Sequence, residues 1–201
     1  MAINSLTIKQ NSMAKKNNQF PLIFKNDIIF KNHETIVNYL NENEEIFGAL
    51  SESNYWSGRV FFFESNHDPK IVQILQDHKD FLLKKFYALS GVKESIYLDT
   101  LSFTRWPKGY ELLPHADAEN PNGEPHDYPW RDFGTVTFLN SNFSGGELYL
   151  PDLDLVIEPT PGYTVIFPGT MDFLHGVKKI TKGTRYTIAS FLTFDKSKSM
   201  F

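Results

Sequence analysis

The second half of the chain is a succession of short β-type runs, and this feature limits the possible folds more than any other. Segments rich in β-branched and aromatic residues alternate with Gly, Pro, Asn or Asp from residue 95 onward. The runs are SIYLDTLSFTRW (95–106), DFGTVTFLN (132–140), GELYL, DLVIE, YTVIFP, LHGVKKI and RYTIASFLTF. Seven or eight short strands at this spacing predict a sandwich or a jelly roll.

Two helices are predicted ahead of these strands. Apolar residues follow a helical period from Asn32 to about residue 49. A second helix should begin at Asp68-Pro69, a capping carboxylate followed by proline, and end at Gly91. Three short strands are also predicted, at FPLIF, DIIF and GRVFFFE (58–64). We expect the helices to support the sheet from outside or to form a dimer contact.

The fold class is therefore mainly β with flanking helices (α+β), in one domain. A chain of 201 residues is an ordinary length for a single β domain. We assign the domain to residues 20–201, with helical support over about 32–91 and the core sheet over about 95–195. Residues 1–19 are polar and predict a flexible leader.

Composition excludes several classes of site. The chain has no cysteine, so a disulfide framework, a thiolate zinc site and a cysteine nucleophile are excluded, and any metal must be held by His, Asp or Glu. The net charge of −4 argues against a nucleic-acid partner. No run approaches the roughly 20 apolar residues of a membrane span, and no signal peptide is evident, so we expect a cytoplasmic protein without a membrane partner.

Three residues are candidates for a metal site. His115 and Asp117 are two apart, so on a strand their side chains would share one face. His175 lies in a late apolar β segment that a jelly roll can bring opposite them. Two histidines and a carboxylate form the facial triad of non-haem Fe(II) oxygenases. Taken singly, His-x-Asp is also typical of a polar strand end, and His175 of a core histidine bonded to a backbone carbonyl.

Arg185 follows His175 by ten positions, across the turn TKG. If residues 181–183 form a three-residue hairpin loop, position 179 pairs with 185 and Arg185 shares the face of His175, about 13 Å along the sheet. A two-residue loop would place it on the other face. In the first register the guanidinium could bind a carboxylate whose other end chelates the metal. A solvent-facing strand arginine is the alternative.

Four stretches together resemble one family. They are RWPKGYELLPHAD, TVTFLNSNFSGGELYLP, PTPGYTVIFPG and LHGVKKITKGTRYTIASFL. Over roughly residues 95–195 the chain resembles the Fe(II)- and 2-oxoglutarate-dependent dioxygenases, in particular their prolyl 4-hydroxylase-like branch. The resemblance implies a double-stranded β-helix, which is a distorted jelly roll. It also implies that His115, Asp117 and His175 bind iron and that Arg185 anchors 2-oxoglutarate.

The same resemblance implies an activity. The enzyme would use Fe(II), 2-oxoglutarate and O2, with ascorbate allowed as an additional reductant, and would form succinate and CO2 while hydroxylating a prolyl or other amino-acid residue of a protein or peptide. A free amino acid or small metabolite is an alternative substrate. A non-catalytic metal-binding jelly-roll module is a second alternative. The oligomeric state stays open.

The chain departs from the family pattern at three positions. Trp106, Leu112 and Phe138 stand where the family often has tyrosines, so hydroxyls that help to hold 2-oxoglutarate are missing. The candidates to replace them are Thr137, Tyr110 and Thr187. Many prolyl hydroxylases have lysine at the anchor position, so an arginine there points to a subset of the branch.

The long segment between Asp117 and the next strand is a candidate substrate lid. Loops of about fifteen residues inside a compact domain are usually functional or disordered. A surface loop pinned by its own aromatic side chains is the alternative, and His126 within it could compete as a metal ligand. The substrate-contact candidates, in this loop and at the cavity mouth, are Trp130, Tyr128, Arg131, Arg105 and Trp106.

Overall fold

The computed structural model describes residues 19–48, 55–62 and 68–200, so the expected leader lies almost wholly outside the described residues. The described part contains ten strands and two α-helices. The helices are α1 (Asp27–Glu42) and α2 (Pro69–Ser90). The strands are β1 (Leu22–Lys25), β2 (Val60–Phe62), β3 (Tyr97–Pro107), β4 (Leu112–His115), β5 (Phe133–Phe138), β6 (Leu148–Leu150), β7 (Leu155–Ile157), β8 (Tyr163–Pro168), β9 (His175–Val177) and β10 (Thr184–Thr193). No helix in these ranges is long and apolar enough to cross a membrane.

The start of α1 corrects one prediction. DIIF (27–30) is the first turn of the helix and not a strand, because Asn26 caps it by accepting a hydrogen bond from the Ile29 N–H at 3.2 Å. Ile29 is buried on the same face as Ile36 and Leu40, which is helical spacing. The helix also ends at Glu42, earlier than predicted, and a short 3-10 turn follows over Glu44–Ile46.

The prediction for α2 is confirmed at both ends. The Asp68 carboxylate accepts hydrogen bonds from Lys70 N at 2.8 Å and Ile71 N at 3.2 Å, and proline occupies the first turn. Gly91 ends the helix with φ of 67°, the left-handed conformation that glycine adopts without strain. Local capping chemistry therefore determined this helix.

The strands form two facing antiparallel sheets, which confirms the double-stranded β-helix. The larger sheet has six strands in the order β1-β8-β5-β10-β3-β2, and the smaller has four in the order β4-β9-β6-β7. Leu101, Phe103 and Ile188 of the larger sheet share a core with buried residues of both helices. The helices thus cover its outer face, and the inner face is left to meet the smaller sheet.

β9 and β10 do not form the predicted hairpin. β10 pairs with β3 and β5 in the larger sheet, whereas β9 pairs with β4 and β6 in the smaller one. The predicted pairing of residue 179 with Arg185 is therefore wrong. Residues 181–183 carry the chain from one sheet to the other, and Lys182 bridges to Ser144 instead. Arg185 and His175 come together because the inner faces of the two sheets oppose each other.

A buried carboxyl group at the start of β5 should make stability depend on pH. Asp132 accepts a hydrogen bond from Phe194 N at 2.7 Å, yet burial raises its pKa from 3.8 to about 6. The folded state therefore holds this proton to a higher pH than the unfolded chain, so this group lowers stability as pH rises from about 4 to about 6. Asp132→Asn should gain stability relative to the wild type across that window, measured by urea unfolding of metal-free protein.

Asp195 provides a matched control for that experiment. Its exposed carboxylate accepts hydrogen bonds from Ser197, which lower its pKa. A lowered pKa stabilises the fold above the pKa of the unfolded chain, and the contribution is lost as pH falls. Asp195→Asn should therefore lose stability near neutral pH and match the wild type in acid. The same pH trend in both variants would contradict the assignment for Asp132.

Candidate metal site and adjoining cavity

The structure brings the three metal-ligand candidates together. His115 ends β4, His175 begins β9, and the two are paired in register with ring centroids 4.4 Å apart. Asp117 follows β4, and its Oδ1 lies 3.7 Å from the Nε2 of each histidine. One donor atom from each residue lies within 4.8 Å of the other two. A single divalent ion could therefore contact all three side chains.

Both histidines are oriented with Nε2 toward this point. His115 Nδ1 lies 3.1 Å from Leu113 O, and His175 Nδ1 lies 3.2 Å from Phe173 O. A carbonyl oxygen can only accept, so these contacts place a proton on each Nδ1 and leave each Nε2 directed toward the metal position. Burial lowers the pKa of His175 to about 4, which favours the neutral ring that a metal needs.

The Asp117 carboxylate is otherwise poorly compensated. Its side chain is buried, and Oδ2 has no hydrogen-bond partner among the described residues. A buried carboxylate without donors is costly unless an ion or another group neutralises it. Two imidazole nitrogens and a carboxylate oxygen suit a divalent transition metal such as Fe(II) and leave further coordination positions open. The residues present therefore fit the expected metal.

Gly134 is a residue of this site that the sequence analysis did not identify. A Cβ at this position would overlap Asp117 Oδ2 and lie 2.6 Å from Phe167 Cε2. Glycine as the second residue of β5 thus makes room for the carboxylate. A glycine inside a strand pattern often marks such a close approach, so DFGTVTF carried a signal for it.

We expect Gly134→Ala to weaken metal binding roughly ten- to a hundredfold, which is the usual cost of disturbing the support of a metal ligand. The added methyl group would displace the Asp117 carboxylate from the two histidines. Gly48→Ala is the control, because no described atom beyond its immediate chain neighbours lies within 4 Å of a Cβ built there. Competition with a fluorescent chelator measures both affinities. Equal affinities would show that Asp117 does not depend on this space.

Arg185 is a buried cation facing the same region. It is 1% exposed, and Nε and Nη2 have no hydrogen-bond partner among the described residues. Its guanidinium carbon lies 5.3 Å from the Phe138 ring centroid and 5.8 Å from that of Trp106. Burial lowers its pKa to about 9, so it stays charged at neutral pH. No described carboxylate forms an ion pair with it, so an anionic ligand would satisfy it.

One cavity joins Arg185 to the metal-ligand candidates. It has a volume of about 360 Å³ and is lined by His115, Asp117, His175 and Arg185 among others. Alternate residues of two neighbouring strands form one wall. They are Thr100, Ser102, Thr104 and Trp106 of β3, and Arg185, Thr187, Ala189 and Phe191 of β10. The cavity therefore lies between the sheets, against the inner face of the larger one.

The structure separates the three candidates for additional cosubstrate contacts. Thr187 lines the cavity on the same face of β10 as Arg185. Thr137 does not line it, because its strand position turns the side chain toward the helices, where Oγ1 hydrogen-bonds Thr164 Oγ1 at 2.8 Å. Tyr110 is 40% exposed and packs on Arg59 outside the cavity. Of the three candidates, Thr187 therefore lines the cavity together with Arg185, and Thr137 and Tyr110 do not.

Some of the candidates for substrate contact line the cavity, and others lie outside it. Tyr128, Arg131 and Trp106 line the cavity, although Trp106 is buried deep in its wall rather than exposed at the mouth. Trp130 lies outside, with Lys198 Nζ 4.0 Å from its ring centroid. Arg105 faces the helix side, where it donates to Gly58 O at 2.7 Å. The alternation of β3 explains the opposite directions of Arg105 and Trp106.

The long loop is held against the sheet at its end. Arg131 stacks between Tyr128 and Phe191, with its guanidinium carbon 3.8 Å and 3.7 Å from the ring centroids, and it pairs with Asp99 at 3.4 Å. These contacts keep Tyr128 beside the cavity. His126 also lines the cavity, but it is not part of the metal-ligand group. Its Nδ1 accepts a hydrogen bond from Tyr128 N.

Comparison with known proteins agrees with this geometry. Residues 101–193 match the family model of the 2OG-Fe(II) oxygenase superfamily. Among curated relatives, prolyl 3-hydroxylase 1 of Gallus gallus is 38% identical over 77 residues, which is 36% of this chain and 11% of the relative. Prolyl 3-hydroxylase 2 of Homo sapiens is 34% identical over the same length, again 36% of this chain and 11% of the relative. The chain thus matches about a tenth of the length of these relatives.

Solved structures show the same fold at low sequence identity. The viral collagen prolyl hydroxylase of Paramecium bursaria Chlorella virus-1, in its 2OG complex, has a TM-score of 0.68 and 12% identity, covering 88% of this chain and 97% of that protein. A prolyl hydroxylase of Trichoplax adhaerens, in complex with a hypoxia inducible factor oxygen degradation domain peptide fragment, has a TM-score of 0.66 and 16% identity, covering 96% and 94%.

Proposed function

We propose that this chain, which carries a 2OG-Fe(II) oxygenase superfamily domain over residues 101–193, is a 2-oxoglutarate-dependent hydroxylase of prolyl residues in a protein or peptide. One observation carries the proposal. The buried, unpaired Arg185 lines the same cavity as the group of two histidines and one carboxylate. A dicarboxylate that reaches from the arginine to a metal would satisfy both ends of the cavity.

The superfamily uses Fe(II), 2-oxoglutarate and O2. Together they supply coupled chemistry, in which 2-oxoglutarate, O2 and a C–H bond give succinate, CO2 and an alcohol, with one oxygen atom entering succinate and one the product. Here His115, Asp117 and His175 would hold the metal through three positions only. The remaining positions are then free for the cosubstrate and for O2.

The chain itself supplies binding, orientation and exclusion of water. Arg185 would bind the far carboxylate of 2-oxoglutarate through its two unpaired nitrogens, with the Thr187 hydroxyl on the same face. Phe138 and Trp106 flank the guanidinium and are both buried, so water has little access to this contact. A dry surrounding strengthens the ionic hydrogen bonds.

A prolyl substrate is supported by the cavity mouth as well as by the relatives. Trp56, Phe62 and Tyr128 line the cavity, and the rings of Phe62 and Tyr128 are exposed. Flat aromatic rings at an apolar entrance can pack against a pyrrolidine ring. The curated relatives are named for hydroxylation at carbon 3, and the solved structures of similar fold include proteins named as prolyl 4-hydroxylases.

The test is a substrate panel with Fe(II), 2-oxoglutarate and O2. Proline-containing peptides, matched peptides with each proline replaced by alanine, and free proline are compared. We expect succinate formation with the proline peptides, together with a peptide product one oxygen atom heavier. Separation of 3- and 4-hydroxyproline after hydrolysis then identifies the carbon that reacts. Turnover of free proline in preference to every peptide would instead establish a small-metabolite hydroxylase.

A further inference from the structure

Trp106 lies beside Arg185 in the cavity wall, but it is neither a metal-ligand candidate nor part of the exposed cavity mouth. The two residues are paired in register on β3 and β10, and both line the inner wall of the cavity. Trp106 is 3% exposed. The ring is held by Val177 and Ile180 and by an edge-to-face contact with Trp56, with centroids 5.5 Å apart. Its orientation is therefore fixed by packing.

The indole nitrogen of Trp106 lacks a hydrogen-bond acceptor among the described residues. This nitrogen, Nε1, is buried. An indole N–H can only donate, and a buried donor without an acceptor is unfavourable. Because Trp106 lines the cavity, a ligand there could supply the acceptor.

The charges around this ring favour an acceptor that is an anion. The guanidinium carbon of Arg59 lies 5.0 Å from the Trp106 centroid, and that of Arg185 lies 5.8 Å from it. Both arginines are buried. Two cations beside one indole raise the local positive potential, so a carboxylate is the acceptor that suits the N–H best.

Trp130 shows why the unpaired nitrogen alone would not be sufficient. Its Nε1 is likewise buried without a partner, but Trp130 does not line the cavity, and its ring packs under Lys198. Of these two tryptophans, Trp106 alone combines the unpaired donor, a place in the cavity wall and a registered position opposite a buried arginine. Trp130 therefore serves as the matched control.

We propose that the Trp106 indole N–H donates a hydrogen bond to a carboxylate oxygen of the 2-oxo dicarboxylate that Arg185 binds. The inference rests on the proposed function and adds a second, uncharged donor to the anchor. Trp106 is thus a determinant of cosubstrate affinity.

Indole N–H resonances provide a direct test that does not depend on turnover. The chain has three tryptophans, so ¹H–¹⁵N spectra of Zn(II)-loaded protein contain at most three indole signals, which Trp56→Phe, Trp106→Phe and Trp130→Phe assign. On addition of 2-oxoglutarate we expect the Trp106 proton to move downfield and the Trp130 proton to stay in place. A Trp106 proton that stays in place in the presence of bound 2-oxoglutarate overturns the proposal.

Affinity supplies the second readout. Calorimetry of 2-oxoglutarate binding to the Zn(II)-loaded protein should give about tenfold weaker binding in Trp106→Phe, as expected for loss of one hydrogen bond to a charged group. Trp130→Phe should bind like the wild type. Loss of binding in Arg185→Met with unchanged binding in Trp106→Phe would leave the proposed function intact and refute the role of Trp106. Failure of the wild type to bind would refute both.

Discussion

His175→Ala is expected to weaken Fe(II) binding by more than about a hundredfold and to abolish 2-oxoglutarate turnover, because loss of a direct ligand should exceed the cost of disturbing its surroundings. His175 Nε2 lies 3.7 Å from Asp117 Oδ1, and its ring centroid lies 4.4 Å from that of His115. Two side chains would remain, and one of them, His115, is partly exposed. Anaerobic titration of metal-free protein with Fe(II), followed by competition with a chelator, measures the loss.

His126→Ala is the matched control for this prediction. His126 lines the same cavity but lies outside the group of metal-ligand candidates. Its removal should leave Fe(II) affinity close to that of the wild type. If His126→Ala lost the metal and His175→Ala retained it, the ligand assignment would be wrong and the loop would supply the third ligand. Circular dichroism of each variant separates loss of a ligand from loss of the fold.

Arg185→Met is expected to weaken 2-oxoglutarate binding roughly a hundred- to several thousandfold while leaving metal affinity unchanged. Removing one partner of a buried ionic contact costs about 3–5 kcal/mol, which corresponds to that range. Calorimetric titration of 2-oxoglutarate into metal-loaded protein measures the change. The affinity of Arg185→Lys for 2-oxoglutarate should lie between those of the wild type and Arg185→Met, because lysine keeps the charge but not the bidentate geometry.

Arg185→Met should also be more stable than the wild type in the absence of 2-oxoglutarate. The structure shows no described carboxylate paired with Arg185, so its burial costs free energy that methionine would not cost. Arg105→Met is the control, since Arg105 lies on the neighbouring strand but faces the helices. Weaker cosubstrate binding with higher stability is the combined signature of a binding group. Wild-type affinity in Arg185→Met would place the anchor elsewhere.

The sequence determined those elements whose signals are short in range. Asp68, Pro69 and Gly91 set both ends of α2, because capping and left-handed φ act within one helical turn. Alternation and turn residues marked the strands of the second half for the same reason. DIIF was predicted wrongly, since three apolar residues in a row do not by themselves distinguish a strand from the first turn of a helix. The Asn26 cap and the packing of Ile29 in the core decided it.

The residue types of the site could also be identified from the sequence, but their proximity in the folded protein could not. His115 and His175 are sixty positions apart in the chain and become registered partners only when β4 pairs with β9. Arg185 reaches the same cavity from the opposite sheet, by a route that the predicted hairpin did not describe. Facing sheets place side chains by register and twist, which depend on every strand in the sheet.

The remaining details depended on single contacts between distant segments. Thr137 was a reasonable candidate by type, but its strand position turns it toward the helices. Gly134 could be identified as part of the site only from its close approach to Asp117. Trp106 became a candidate contact only because β3 places it opposite Arg185. Sequence alone therefore determined the local elements and the chemistry that was available. The tertiary structure decided which groups share one cavity, because long-range pairing fixes the direction of each side chain.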